Sequence, residues 1–365
     1  MNRRSFVTAS AAAMTAQLYS RILGANDRIR LGHLGCGDRS GSHVHMVQLA
    51  ARQTPVESVA VCDLWSLARE RRAAQVEKVF GAKPKAYQHY EDMLARPDID
   101  GVMIATADFQ HAQHCAAVVR AGKDCYCEKP FANSLKDAKE ARAAAKASKQ
   151  VVQIGTQHRT QPYPVAVREL IRAGRIGRVV KISQEWDVNM QRWRGRAAVK
   201  ELKEADTDWK RWLLDRPYQP FDPRVYLELR LYRNFSSGIF DQWMSHASDL
   251  VHLWTGATYP ESASANGGIV VWRDGRENPD TASVIFTYPQ GFVHTYTTTF
   301  GNSYRSFTRI QGREGTIDNF GGEARRCSCK PRKEGRTSPT RPAISANPGI
   351  WRLPAWAGWK TAPKS

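Results

Sequence analysis

Long apolar runs are missing from this 365-residue chain: no stretch approaches the roughly 20 residues that cross a bilayer, so no transmembrane span is expected. Also missing is a disulfide framework. Cys36, Cys62, Cys115, Cys125, Cys127, Cys327 and Cys329 are odd in number and irregularly spaced, and several lie in apolar runs, so most are expected to be buried thiols. The pairs Cys125-Tyr126-Cys127 and Cys327-Ser328-Cys329 lack the usual spacing of zinc ligands, and no metal site is expected. Acidic residues are scarce, 35 against 54 basic ones, for a net charge of +19. Much of that excess follows Ala324, where ten Lys or Arg, from Arg325 and Arg326 onward, face only Glu334. A basic tail explains it better than a nucleic-acid-binding face, and no specific nucleic acid partner is expected; general attraction to acidic polymers, acidic polysaccharide included, stays open.

With 42% hydrophobic and 24% charged residues the composition is globular, and the length suits two domains with a cofactor cleft between them. The N-terminus reads as a targeting segment. Arg3-Arg4 precede Ser5-Phe6-Val7 and an Ala-rich stretch to Leu18, with Gly24-Ala25 beyond. This is the pattern of a twin-arginine signal over residues 1–25, cleaved near Ala25, which implies a periplasmic or secreted protein exported already folded.

From Arg28 the chain alternates through Leu34 into Gly35-Cys36-Gly37-Asp38-Arg39-Ser40-Gly41, and a helical stretch follows from His43 to Ala51. Strand, glycine turn and helix make a dinucleotide cradle. Gly35 allows the tight turn, Gly37 lets a pyrophosphate approach the backbone, and the helix N-terminus offers amides and its dipole. Ser40 stands where the pattern has a third Gly or Ala. Val59-Ala60-Val61 is a second strand ending at Cys62-Asp63, and Asp63 is placed to bond the adenosine ribose hydroxyls, favouring NAD over NADP. Arg69, Arg71 and Arg72 on the next helix leave NADP open. Further repeats bring a helix at Tyr90 to Leu94, a strand at Gly101 to Ala105 with the loop from Thr106 to His111, a helix from His111 to Arg120, and a strand Asp124 to Cys127 that runs into Glu128-Lys129-Pro130. The fold class is therefore α/β, a doubly wound Rossmann sheet of parallel strands over residues 26–150.

Gly35-Cys36-Gly37, Ala105-Thr106-Ala107-Asp108, Cys127-Glu128-Lys129-Pro130, Val152 to Gln157 and Gly312-Arg313-Glu314-Gly315-Thr316 together resemble the glucose-fructose oxidoreductase and inositol dehydrogenase family (Gfo/Idh/MocA) over roughly residues 28 to 320. Thr106-Ala107 departs from the family's usual Thr-Pro. The resemblance implies that Lys129 hydrogen-bonds the reacting hydroxyl beside the nicotinamide and that Pro130 shapes the turn, often through a cis bond. The residues expected around the cofactor are then Gly35, Cys36, Gly37, Asp38, Arg39, Asp63, Thr106, Asp108, His111, Glu128, Lys129, Pro130 and Gln157.

After Val165 the pattern changes to a helix and then to alternating strands at Gly177 to Ser183, Ala282 to Tyr288, Phe292 to Thr297 and Phe307 to Gly312. An α+β substrate domain with a largely antiparallel open sheet is expected over 151–322, one sheet face serving self-association. The aromatic and basic stretch from Asp208 to Tyr226 suits a saccharide pocket, with Trp212 and Arg224 as candidate ligands. In Phe240-Asp241-Gln242-Trp243-Met244-Ser245-His246-Ala247-Ser248-Asp249, His246 and Asp249 share a helix face, so the carboxylate is placed to orient the imidazole. The resemblance makes His246 the acid/base and puts an Asp where Gln242 stands; glutamine takes no proton, so His246 and Lys129 carry the proton chemistry. His252 reads as structural. Residues 323–365 lose periodicity and are expected to lack order, as a native basic arm or the product of a shifted reading frame.

Three functions fit: an NAD(P)-dependent oxidoreductase acting on a secondary hydroxyl of a sugar, cyclitol or glycoside; a glycoside hydrolase that recycles a tightly held NAD; and a cofactor-bound sugar-binding protein without catalysis.

Overall fold

The computed structural model describes residues 28–304, 306–320, 324–328 and 350–352. The expected signal segment lies outside the described residues, as does Cys329. No helix among the described residues is long and apolar enough to cross a membrane.

The chain divides into two compact units, the first running to Gly155 and the second beginning at Thr156. Residues 195–236 group with the first unit and not with the second, because their aromatic and arginine side chains pack on it.

In the first unit β1 (Ile29–Leu34), α1 (Asp38–Ala50), β2 (Val56–Cys62), α2 (Ser66–Phe80), β3 (Lys85–Tyr87), α3 (Tyr90–Leu94), β4 (Gly101–Ile104), α4 (His111–Arg120), β5 (Asp124–Cys127), α5 (Leu135–Ala147) and β6 (Val152–Ile154) alternate. Their six strands lie parallel in the order β3-β2-β1-β4-β5-β6, with the switch point between β1 and β4. Strands covered on both faces carry near-continuous apolar residues, and β4 is buried along its whole length. Leu34, Ala60, Val102, Ile104 and Val118 form the main core. Cys36, Cys62, Cys115, Cys125 and Cys127 are free and buried, as expected of thiols in apolar runs. Backbone bonds extend the ladder past the strand ends, from Gly35 N to Cys62 O (2.8 Å), Ala105 N to Leu34 O (2.8 Å) and Glu128 N to Ile104 O (3.1 Å). These bonds set the loops of the carboxyl edge side by side.

In the second unit α6 (Pro162–Arg172) and α7 (Ser245–Thr255) pack on one face of a sheet built from β7 (Val179–Asp187), β8 (Ser262–Gly268), β9 (Thr281–Tyr288), β10 (Phe292–Thr299), β11 (Phe307–Gly312), β12 (Thr316–Phe320), β13 (Ala324–Ser328) and β14 (Ile350–Arg352). The order is β14-β13-β12-β11-β7-β10-β9-β8, antiparallel except where β10 runs parallel to β7. Val167, Ile182, Val251, Trp254 and Ile310 are the buried seam. The strict alternation of β10, with Phe292, His294, Tyr296 and Thr298 buried, is the period-two signal of a half-covered sheet. β13 and β14 fall inside the stretch expected to lack order: backbone pairing with β12 and with each other supplies what apolar periodicity does not.

Candidate cofactor and active site

The cradle follows from backbone geometry. Gly35 sits at φ +88°, and a Cβ there would stand 2.5 Å from the Ala105 carbonyl oxygen, so only glycine fits between the β1 and β4 loops. At Gly37 a Cβ would meet nothing within 4 Å: the backbone faces open space at the start of α1, whose first turn no side chain caps. Uncapped amides and the positive end of the helix dipole suit a pyrophosphate at that point. Ser40 is fully buried, so replacing the third glycine alters helix packing and not the open face. The Cys36 thiol is likewise buried, which leaves that residue its backbone amide to offer.

That amide donates to Asp63 Oδ2 at 2.6 Å, and Trp65 N donates to Oδ1 at 2.9 Å. Burial raises the Asp63 carboxyl against those two bonds. Arg69 donates to the Asp63 carbonyl (2.6 Å) and Arg72 to the carbonyls of Cys36 (3.1 Å) and Gly37 (2.8 Å), while Arg71 pairs with Glu201 (2.8 Å). All three arginines that left NADP open are thus engaged within the protein.

At the β4 and β5 ends the loops interlock. His111 Nδ1 lies 2.7 Å from the Pro130 carbonyl and Nε2 lies 3.2 Å from that of Thr106. Burial lowers its pKa, and a neutral imidazole donates once, so the shorter contact to Pro130 is the hydrogen bond. Thr106 Oγ1 meets His114 Nδ1 at 3.0 Å. The Lys129-Pro130 bond is cis, as the resemblance implied. Glu128 Oε1 is reached by Arg39 Nε at 2.7 Å and His43 Nε2 at 2.9 Å. Burial alone would raise this carboxyl, but those partners hold it at about 2. Arg39 and Glu128 therefore tie the glycine turn to the lysine turn.

Lys129 is pushed down to about 8, first by burial and then by the Arg230 guanidinium, against the opposing pull of Asp108 and Glu128. Asp108 is itself buried, a cost outweighed by Arg230, which donates to both its oxygens at 3.0 Å, and by Ser236 Oγ at 3.0 Å. A half-buried lysine with a lowered pKa is equipped to exchange a proton with a hydroxyl near neutral pH.

One candidate substrate ligand, Trp212, is corrected. Trp212 is 4% exposed, stacked on Trp209 and Tyr226 and edge-on to Phe109, which makes it core and not a sugar platform. Arg224 belongs to the first unit, where its exposed side chain lies 3.6 Å from Glu228. In the second unit the short turn Gln157–Thr160 contacts α7, which carries His246 and Asp249, and the pairing differs from the one expected. The Asp249 carboxylate is held by Arg159 Nε at 2.8 and 2.9 Å, so it is an ion pair and not the partner expected for the imidazole. His246 instead meets the ring of His158, edge to face at 4.4 Å. Gln157 opens the short 3-10 helix that carries His158 and Arg159. Gln242 is buried in a π-helical turn, Phe240–Met244, leading directly into α7. Such turns often mark functional sites. His252 bonds the Tyr288 hydroxyl at 3.0 Å, consistent with a structural role.

Residues 29–156 match the model of the oxidoreductase family with an NAD-binding Rossmann fold, and residues 211–318 match the GFO/IDH/MocA C-terminal domain. The chain belongs to the Gfo/Idh/MocA oxidoreductase family, with residues 29–156 as that family's NAD-binding Rossmann domain. It is 32% identical over 191 residues to the rhizopine catabolism protein MocA of Rhizobium meliloti, covering 51% of this chain and 57% of that protein. It is 28% identical over 194 residues to the inositol 2-dehydrogenase of Salmonella typhimurium, covering 52% of this chain and 56% of the relative. The chain thus spans little more than half the length of the curated relatives it matches. The WlbA dehydrogenase of Bordetella pertussis, solved with NADH and UDP-GlcNAcA, shares the fold with a TM-score of 0.63 at 22% identity, over 80% of this chain and 78% of that one.

Proposed function

We propose that the protein is an NAD-dependent dehydrogenase acting on a secondary hydroxyl of a sugar, cyclitol or glycoside. Lys129 carries the reading: a half-buried lysine held near neutrality beyond β5, tied through Arg39 and Glu128 to the glycine turn that accepts the pyrophosphate. NAD, when bound, accepts the hydride. Lys129 donates to the substrate oxygen or takes its proton, steadying alkoxide character as the carbon gives up hydride. Asp63, with Arg69 and Arg72 engaged elsewhere, supports NAD over NADP. His246 is the proposed second acid/base, supported by the family resemblance and by the π-helical turn that leads into its helix. The names of the relatives support polyols as the first substrates to try.

The test is absorbance at 340 nm with NAD and a panel of cyclitols, aldoses and glycosides. Turnover on at least one, lost in Lys129→Ala, supports the reading; an inert panel with demonstrable NAD binding sinks it in favour of a binding protein. Export through the twin-arginine signal and self-association through the uncovered face of the second sheet belong to the same proposal. Cell fractionation and light scattering check them.

A further inference from the structure

The stretch Gly195–Ser236 interrupts the second unit in sequence yet belongs to the first. Its side chains reach three carboxylates that follow three different strands of the parallel sheet. Arg196 Nη1 lies 2.8 Å from Asp38 beyond β1, Tyr226 Oη lies 3.5 Å from Asp63 beyond β2, and Arg230 grips both oxygens of Asp108 beyond β4 at 3.0 Å. Apolar contacts fill the intervals. Leu202, with Ala198, Phe221 and Leu227, joins the cluster of Cys36, Trp65 and Ala68, and Trp209 and Trp212 join that of Phe109. Gln110 adds a bond to the Trp212 carbonyl at 2.7 Å. The stretch therefore runs along the carboxyl edge of the sheet, where this fold puts its dinucleotide.

We propose that Gly195–Ser236 is a clasp that encloses the bound dinucleotide and holds it on the protein between turnovers; this rests on the cofactor reading of the first unit. Its anchors mark both ends of the ligand's path, Asp63 at the ribose end and Asp108 beside Lys129. The Asp108 anchor is the firm one, because that carboxylate is 1% exposed and gripped by a two-pronged guanidinium. The Arg196 anchor is weaker, since Asp38 is exposed. A retained cofactor constrains the chemistry. The hydride and proton taken from a CH–OH group must return, in the same site, to the carbon and oxygen of a carbonyl compound, either the oxidised substrate itself or a second one that becomes an alcohol.

The test loads the full chain with NAD, removes free ligand by desalting, adds excess deuterated NAD and reads the retained dinucleotide by mass spectrometry. Wild type is expected to exchange over hours. Arg196→Ala, which alters only an exposed pair, is expected to exchange roughly threefold faster, and Arg196→Ala/Arg230→Lys at least about tenfold faster, the scale of losing a charge-assisted bond. Amide hydrogen exchange on wild type provides a second readout without mutation: NAD is expected to slow exchange across 196–231. Exchange within seconds in wild type, variants no faster than wild type, or unchanged amides in the stretch would overturn the clasp. No NAD binding at all would instead overturn the cofactor reading beneath it, an outcome calorimetry separates from rapid exchange.

Discussion

The acidity of Lys129 has a kinetic consequence that can be worked out in advance. Its pKa falls from 10.5 to about 8, first through burial and then through Arg230. At pH 7.5 about a quarter of the lysine is then neutral, against roughly one part in a thousand for a free side chain. If neutral Lys129 takes the hydroxyl proton, kcat/KM for alcohol oxidation rises about tenfold per pH unit below 8 and levels above it. Stopped-flow absorbance at 340 nm from pH 6 to 10 under NAD saturation measures this. Asp108→Asn removes the carboxylate that favours the charged form, so the inflection should move to lower pH. Lys129→Arg keeps the positive charge but cannot deprotonate, and should lose at least about a hundredfold in rate while binding NAD normally. A flat wild-type profile between pH 7 and 9, or an inflection above 10, would refute the assignment.

Other consequences follow from the cradle and its supports. Gly37→Ala should leave thermal stability within about 0.5 kcal/mol of wild type, because its Cβ meets nothing, yet weaken NAD at least about tenfold in calorimetry; Gly35→Ala should destabilise the fold by about 2 kcal/mol or more in urea titration. Glu128 has a folded pKa of about 2, below its ordinary 4.5, so its contribution is present above pH 4.5 and lost as pH falls toward 2. That amounts to about 3 kcal/mol, and Glu128→Gln should remove this part of the acid dependence in pH-resolved denaturation while costing stability at pH 7. His246→Ala should cut turnover about a hundredfold or more with NAD affinity unchanged; an equal loss of NAD affinity would point to a structural histidine. Trp212→Ala should destabilise by about 3 kcal/mol in the same urea assay, as a core aromatic and not a sugar platform.

Local signals in the sequence located the Rossmann strand ends well. Gly35, Asp63, Thr106 and Lys129 each follow a parallel strand, and the helix His111–Arg120 and strand Asp124–Cys127 fall at their expected limits. Periodicity reports on neighbours in the chain, and those elements are defined by their neighbours. The contacts that escaped it are remote in sequence: Arg230 meets Asp108 across 122 positions and Arg196 meets Asp38 across 158. Charge patterning carries no hint of such pairs. Asp249 shows the same effect in reverse, since its spacing favoured His246 but Arg159, 90 positions earlier, takes the carboxylate. Trp212 was misplaced because composition cannot tell a stacking platform from a core ring. The π-helical turn before α7 has no period of its own to read.

The most direct test of the cofactor assignment is a crystal structure of the protein with NAD. The pyrophosphate is expected over Gly37 at the start of α1, the adenosine ribose on Asp63 and the nicotinamide beside the Lys129 ammonium, in order along the carboxyl edge of the sheet. A dinucleotide bound away from Gly37, or with its nicotinamide remote from Lys129, would contradict the assignment.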